Sequence, residues 1–398
     1  MQKLKLITII CLLLVVHSKT SFSQSKEERL TQSLKAVFEK DSLPGISVIL
    51  TNTKKVVYEQ NFGFANVEEN IKYTSHSIQN IGSVSKTFIA IALMKAIELG
   101  YFNLETDINT ILPFKVINPN DPAGVITIRQ LTNHTSGIID NPAIFPNVYH
   151  FNTSIAPYDT AAYKILQDLG YQQKISDTSL ASFMHDYLAQ KGQHYHKENF
   201  GTGASGTTSS YSNIASALAA YLIELKSGLS YADFTKKYIL KPLKMNQSGW
   251  QFDRHNLKNY ARPYYSPTAV FPYYDFITYP EGGLRTNTAD LSKYIMAMLR
   301  AYHGDQSLLK KASVDSMFRP QFSKIHPPKG ISLVNRNKGI FWNLYTNGTI
   351  GHDGDDPGVS SFLFFNPKTG LGGIFLCNKY LADKTAIINL LVQYTNEK

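Results

Sequence analysis

The apolar pattern divides the chain into strands, a long helical middle, and strands again. Residues 26–40 place Leu30, Leu34, Val37 and Phe38 at helical spacing, which predicts an amphipathic helix. After the Pro44-Gly45 turn, residues 46–50 and 56–64 are strand-like and joined by Thr51-Asn-Thr-Lys-Lys55, which predicts a hairpin. Helical periodicity then dominates, over residues 88–99, 104–112, 127–133, 179–190, 214–226, 231–240 and 289–302. Gly100, Pro113, Gly137, Gly228 and Pro242 supply stops. Strand-like runs 359–365 and 371–376 flank Asn366-Pro-Lys-Thr-Gly370, a second hairpin, and residues 382–394 predict a last amphipathic helix. No internal repeat is visible. Strands from both ends can join in one antiparallel sheet, with the helical middle as a second lobe. This gives an α+β layout, with a sheet lobe over about 24–82 and 280–398 and a helical lobe over about 83–279. A cleft between lobes is a usual place for a site.

The N-terminus changes the picture. Lys3 and Lys5 precede an apolar run from Leu6 to Val16, followed by the small-x-small site Ser21-Phe22-Ser23. This pattern predicts a secretory signal peptide over residues 1–23, cut near Ser23, and a periplasmic or secreted protein. Cys11 lies inside the apolar run, with more apolar residues after it, and is not read as a lipidation cysteine. Its removal with the leader would leave Cys377 alone, without an intrachain disulfide; Cys377 sits in an apolar strand pattern as a small buried hydrophobe. The leader carries three lysines and no acid, so cleavage lowers the net charge from +10 to +7. The basic residues are scattered rather than striped, which argues against a nucleic-acid partner. After the leader no apolar run is long enough for a transmembrane segment.

Candidate chemistry centres on Ser83-Val84-Ser85-Lys86, at the start of the helix predicted over residues 88–99. Three residues along a helix bring two side chains onto one face, so a hydroxyl and an amine come within reach. A helix N-terminus can assist an oxyanion and disfavours a protonated lysine nearby. A serine beside an amine of lowered pKa is an activated nucleophile. Alone, a Ser-x-x-Lys is as compatible with a capping serine and a surface lysine. Two further stretches have compositions that packing does not explain. Tyr211-Ser212-Asn213 follows a Gly/Ser/Thr/Ala loop at residues 201–210 and precedes a helix. Gly351-His352-Asp353-Gly354-Asp355-Asp356-Pro357-Gly358 lies just ahead of a predicted strand, with glycines that let backbone approach a ligand closely.

Ser83-x-x-Lys86, Tyr211-Ser-Asn213 and His352-Asp-Gly354 stand in the order and with roughly the gaps of the penicillin-recognising serine hydrolases. The resemblance is closest to the class C β-lactamase branch, with its D,D-peptidases, D-aminopeptidases and esterases. Leu131-Thr-Asn-His-Thr-Ser-Gly-Ile138, Tyr238-Ile-Leu-Lys-Pro-Leu-Lys-Met245 and Gly282-Gly-Leu-Arg-Thr-Asn-Thr-Ala-Asp-Leu291 are similar to further segments of that family. The resemblance covers about residues 30–395. It implies an antiparallel sheet flanked by N- and C-terminal helices, with an inserted all-α lobe. It implies that Ser83 forms an acyl-enzyme on an ester or a peptide/amide, that Lys86 and Tyr211 share the proton traffic, and that Asn213 binds the substrate amide and braces Lys86. The oxyanion hole would be the N–H groups of Ser83 and Asp355, beside Gly354. No cofactor and no metal are implied. The partners implied are a small-molecule or peptide substrate, with peptidoglycan fragments a further expectation.

The third motif departs from the pattern. β-Lactamases place a lysine where His352 stands, and a neutral histidine supplies less charge for a substrate carboxylate. Asp353 and Asp355 add negative charge, which would favour an amine. A true β-lactamase and a catalytically silent binding homologue therefore remain as alternatives. Other motifs carry less. Gly201-Thr-Gly-Ala-Ser-Gly206 fits a dinucleotide fingerprint but follows a polar segment rather than a strand. His194-Tyr-His196 lacks a third ligand at suitable spacing. His134 is expected to brace a turn, and Asp290 to be a helix N-terminal acid. The aromatic run at residues 264–279 suits core packing or a pocket wall equally.

Overall fold

The computed structural model describes residues 24–171, 179–253 and 255–397, so the predicted leader and Cys11 lie outside the described residues. Eight strands form one antiparallel sheet: β1 (Gly45–Thr51), β2 (Val56–Asn66), β3 (Ile71–Lys72), β4 (Arg336–Lys338), β5 (Asn343–Tyr345), β6 (Ile350–Asp356), β7 (Val359–Asn366) and β8 (Leu371–Cys377). Their order across the sheet is β4-β5-β6-β7-β8-β1-β2-β3. β1 pairs with β8 through Ile46–Cys377 to Thr51–Gly372, so the two ends of the chain meet in the middle of the sheet.

Alternation along β1 explains its complete burial. Ile46, Val48 and Leu50 point to one face, packed with Phe362, Phe364 and Phe375 beneath α1 (Lys26–Lys40) and the C-terminal helix (Thr385–Asn396). On the other face the Ser47 hydroxyl meets Thr288 Oγ1 at 2.7 Å, at the start of helix Thr288–Tyr302. The middle of the chain packs around α2 (Lys86–Glu98) and α3 (Asn213–Ser227), in one core with Leu363, Phe365, Ile374 and Leu376 of the sheet. α2 is buried on nearly every side, and Phe88 stacks on Tyr294 with centroids 4.2 Å apart. A helix apolar all round belongs in a core rather than on a surface. Cys377 is buried in β8.

Three local readings change. The His352 segment does lie just ahead of strand β7, as expected, but is itself strand β6, paired with β7 from Ile350–Phe365 to Asp356–Val359. Its polar side chains are consumed by site contacts, so it lacks the apolar alternation that marks a strand. Residues 104–112 form only a 3-10 turn, Ile108–Thr110, and residues 231–240 split into helix Tyr231–Thr235 and a π-turn, Lys236–Leu240. Within 140–200, strand Tyr149–Asn152 pairs with Tyr273–Phe276, so the aromatic run is part of a small ribbon with Tyr274 and Phe276 in the core.

Candidate active site

Ser83 lies in a 3-10 turn, Gly82–Ser85, that runs directly into α2 at Lys86. The turn is fixed from both sides. Ile81 N–H donates to Leu284 O at 3.1 Å, the Ser361 hydroxyl of β7 donates to Ile81 O at 2.7 Å, and Leu284 N–H donates to Ser85 Oγ at 3.2 Å. Lys86 Nζ reaches back to Ser83 Oγ at 3.0 Å, as the three-residue spacing predicts.

Tyr211 and Asn213 come from the extended segment and first turn of α3. The Tyr211 hydroxyl donates to Ser83 Oγ at 2.7 Å, and Asn213 Oδ1 accepts from Lys86 Nζ at 2.6 Å. The turn that aims them is held by Asp140, which the sequence did not single out. Its carboxylate accepts from Ser212 Oγ at 3.0 Å, Asn213 N–H at 2.9 Å and Ile214 N–H at 3.0 Å. A carboxylate on the free amides of a helix N-terminus is a favourable pairing. His134, at φ 61°, accepts from Ser212 N–H at 3.3 Å, and its ring lies 4.5 Å from that of Tyr211. It braces the Tyr211 turn, and burial holds its ring well below the ordinary histidine range. The Gly/Ser/Thr/Ala loop closes around the same segment, with Gly206 N–H donating to Thr135 O at 2.7 Å.

β6 completes the site. Gly354 stands against the serine turn: a Cβ there would lie 2.1 Å from Ile81 O and 2.9 Å from Ser83 N. Gly82, at φ 50°, makes the reciprocal approach, its added Cβ falling 2.7 Å from Asp355 N. The serine turn and β6 are thus packed backbone against backbone at residues 82–83 and 354–355. His352 is buried, its ring 6.5 Å from that of Tyr211, with Nδ1 against Asp353 O at 2.6 Å. Burial first, then Lys338 and Lys86, push His352 down to about 4 against the pull of Asp353. The ring is therefore uncharged at neutral pH. His352→Gln is accordingly expected to leave the shape of the pH–rate profile unchanged between about pH 5 and pH 8, the window in which an ordinary histidine titrates. A wild-type inflection in that window that vanishes in the variant would count against the burial argument.

The expected negative patch is compensated. Lys384 Nζ lies 2.5 Å from Asp355 Oδ2 and 3.6 Å from Asp353 Oδ2, and the Ser360 hydroxyl donates to Asp355 Oδ1 at 2.6 Å. The Asp355 carboxylate is therefore engaged by Lys384 and Ser360.

The lysine also departs from expectation. Lys86 is fully buried, and that alone would push it down, but Tyr211 and Glu281 outweigh the burial and hold the ammonium above the ordinary lysine value. Glu281 was missed. It ends the turn Tyr279–Glu281, one residue before the Gly282-Gly283 pair, and its Oε2 lies 3.0 Å from Lys86 Nζ. Tyr211 is 44% exposed as a residue, though its hydroxyl points inward; desolvation raises that hydroxyl and Lys86 pulls it back. Lys86 is closed to water, and Tyr211 is the exposed member of the group.

A serine hydroxyl bonded by a buried lysine and a tyrosine, at the junction of an antiparallel sheet and a helical lobe, defines the class of active-serine proteins built on a Ser-x-x-Lys. The Beta-lactamase family model matches residues 28–391, and the chain belongs to that family. It is 24% identical over 363 residues to Protein flp of Staphylococcus aureus strain N315, covering 90% of this chain and 64% of that relative. The chain thus spans less than two thirds of that relative's length. It is 27% identical over 380 residues to Penicillin-binding protein 4* of Bacillus subtilis, covering 89% of this chain and 72% of the relative. Its fold matches the octameric penicillin-binding protein homologue from Pyrococcus abyssi with a TM-score of 0.72, at 23% identity, over 92% of this chain and 77% of the other.

Proposed function

We propose that this protein is a serine hydrolase working through an acyl-enzyme on an ester or a peptide/amide, D-amino-acid peptides first among the amides. The observation that carries the reading is the double contact on Ser83 Oγ, 3.0 Å from Lys86 Nζ and 2.7 Å from the Tyr211 hydroxyl. Ser83 attacks the carbonyl as its proton passes to this pair. The oxyanion is met by the N–H groups of Ser83 and Asp355. The proton returns to the leaving group through Tyr211, and water then releases the acyl group. Asn213 holds Lys86 and offers its amide to the substrate.

Two tests bear on this. Product-resolved turnover of a short-chain ester, a D-Ala-D-Ala peptide, a D-amino-acid amide and a cephalosporin identifies the bond cleaved. An intact-mass shift on the Ser83 peptide identifies the acyl-enzyme. Absence of both for every compound would overturn the reading. Tyr211→Phe is expected to lower kcat/KM by about 10²–10⁴-fold, the usual worth of a positioned proton-transfer group. A loss below about tenfold would remove Tyr211 from the proton path.

We further propose that the protein acts outside the cytoplasm after cleavage near Ser23, on the strength of the charged, apolar and small-residue order of residues 1–23. N-terminal sequencing of the exported protein tests this, and an intact Met1 would refute it. Among the described residues, no helix is long and apolar enough to cross a membrane.

A further inference from the structure

Lys86 has more acceptors than a lysine can serve. Its Nζ lies 3.0 Å from Ser83 Oγ, 2.6 Å from Asn213 Oδ1, 2.7 Å from Glu281 O and 3.0 Å from Glu281 Oε2. An ammonium carries three protons. Three of these acceptors lie away from the serine, so the charged lysine can be fully bonded without it. The pair is sealed, with side-chain exposures of 0% for Lys86 and 4% for Glu281. A lysine in that state cannot accept the serine proton unless it gives one up, and solvent does not reach it.

The other charges nearby are already engaged. Asp140, beside α3, is bonded to Ser212, Asn213 and Ile214. Asp355 on β6 is paired with Lys384. Asp356, at the end of β6, accepts from the Tyr149 hydroxyl at 2.6 Å and from Asn80 Nδ2 at 3.1 Å. Burial, then Glu281, push Asp356 up to about 8, so it is largely uncharged at neutral pH. His134 and His352 are held neutral, and Lys338 bonds Asn343 Oδ1 at 2.7 Å. Tyr149 and Tyr211 are phenols whose proton affinity is raised by burial. Among the described residues, Glu281 is the one carboxylate bonded to Lys86.

We propose that Glu281 is the terminal proton acceptor of the site, taking the serine proton through Lys86. As Ser83 Oγ bonds to the carbonyl carbon, its O–H bond breaks and the proton goes to Lys86 Nζ. One of the protons already on Nζ passes to Glu281 Oε2. Lysine ends as it began, an ammonium facing the new oxyanion, and the carboxylate becomes a carboxylic acid. When the tetrahedral species collapses, the bond to the leaving group breaks, and the proton retraces this path through Lys86 and Tyr211 to that group, restoring the carboxylate. Burial makes Glu281 a stronger proton acceptor than an exposed glutamate, with Asp140 adding to the effect and Lys86 opposing it. Inside a desolvated pair, an ion pair and its neutral tautomer lie closer in free energy than they do in water. Glu281 touches Lys86 rather than the substrate and is a positioning residue in that sense.

The inference rests on the acyl-enzyme reading, and one experiment separates the two. The rate constant for labelling of Ser83 by a fluorophosphonate is measured from about pH 4 to about pH 11, which spans carboxylate titration and an ordinary amine's midpoint. Wild type, Glu281→Gln, Glu281→Asp and Ser83→Ala are compared, with labelling read on the Ser83 peptide by mass spectrometry. Wild type is expected to rise with pH over a limb set by Glu281 and then level off. In Glu281→Gln, Lys86 must lose a proton before it can serve as base. The limb is expected to move up by about two pH units or more, with a tenfold loss for each unit below it. Glu281→Asp keeps a carboxylate and is expected to keep the wild-type limb with a lower plateau. It decides the matter alone if the glutamine variant does not fold. An unmoved limb in Glu281→Gln, an even loss at every pH, or labelling faster than wild type at neutral pH overturns the proposal, as does a Glu281→Asp limb displaced like that of a carboxylate-free site. Wild type that fails to label at Ser83 overturns the acyl-enzyme reading itself.

Discussion

Ser83→Ala is expected to reduce turnover by about 10⁴-fold or more while leaving the fold intact, since removal of a nucleophile from a coupled site costs nearly as much as removal of the assembly. The structure gives reasons for both halves of that expectation. Lys86 Nζ and the Tyr211 hydroxyl both contact Ser83 Oγ, at 3.0 and 2.7 Å, so its deletion removes the atom on which the proposed proton carriers act. The serine turn does not depend on that oxygen. Its backbone is tied by Leu284, Ser361 and Ser85, and its lysine by Asn213 and Glu281. The measurements are product-resolved kcat/KM and thermal unfolding on the same preparation. Turnover within tenfold of wild type, at an unchanged Tm, would remove Ser83 as nucleophile.

The fold was legible because its main elements carry strong periodicity. The hairpin of β1 and β2 and the pairing of β7 with β8 follow from apolar runs bounded by turn residues. α1, α2 and α3 follow from helical spacing and glycine stops. β6 was not legible as a strand. His352, Asp353, Asp355 and Asp356 give it a loop's composition, and its ladders with β5 and β7 show that it is a strand. At the site, Ser83, Lys86, Tyr211 and Asn213 announced themselves by spacing and order. Their charge states did not, because those depend on residues remote in the chain. Glu281 lies 195 positions from Lys86, and no local pattern ties them. Asp140 is likewise invisible until α3 is seen to rest its N-terminus upon it. The expected depression of Lys86 was sound for a helix N-terminus taken alone. Tyr211 and a buried carboxylate at 3.0 Å together reverse it.

Gly354→Ala is expected to lower kcat/KM by about 10²–10³-fold, the worth of one oxyanion donor, and to cost about 1–3 kcal/mol of stability from overpacking. The added methyl would sit 2.1 Å from Ile81 O, 2.6 Å from Ser361 Oγ and 2.9 Å from Ser83 N. Two of those atoms are backbone in a turn pinned by hydrogen bonds, so they cannot swing aside as a flexible side chain would. β6 must move away from residues 81–83, which draws apart the Ser83 and Asp355 N–H groups proposed to meet the oxyanion. Lys86, Tyr211 and Asn213 do not touch Gly354, so their contacts on Ser83 should survive the substitution. The variant should therefore lose turnover of an ester or amide while keeping the Lys86 and Tyr211 contacts on Ser83. Gly249→Ala is the control, because a Cβ there meets nothing within 4 Å, and it should retain both activity and Tm. If Gly354→Ala keeps wild-type turnover, the gap between β6 and the serine turn does not hold the oxyanion. Stabilisation of the tetrahedral intermediate would then have to come from the Tyr211 side of the site.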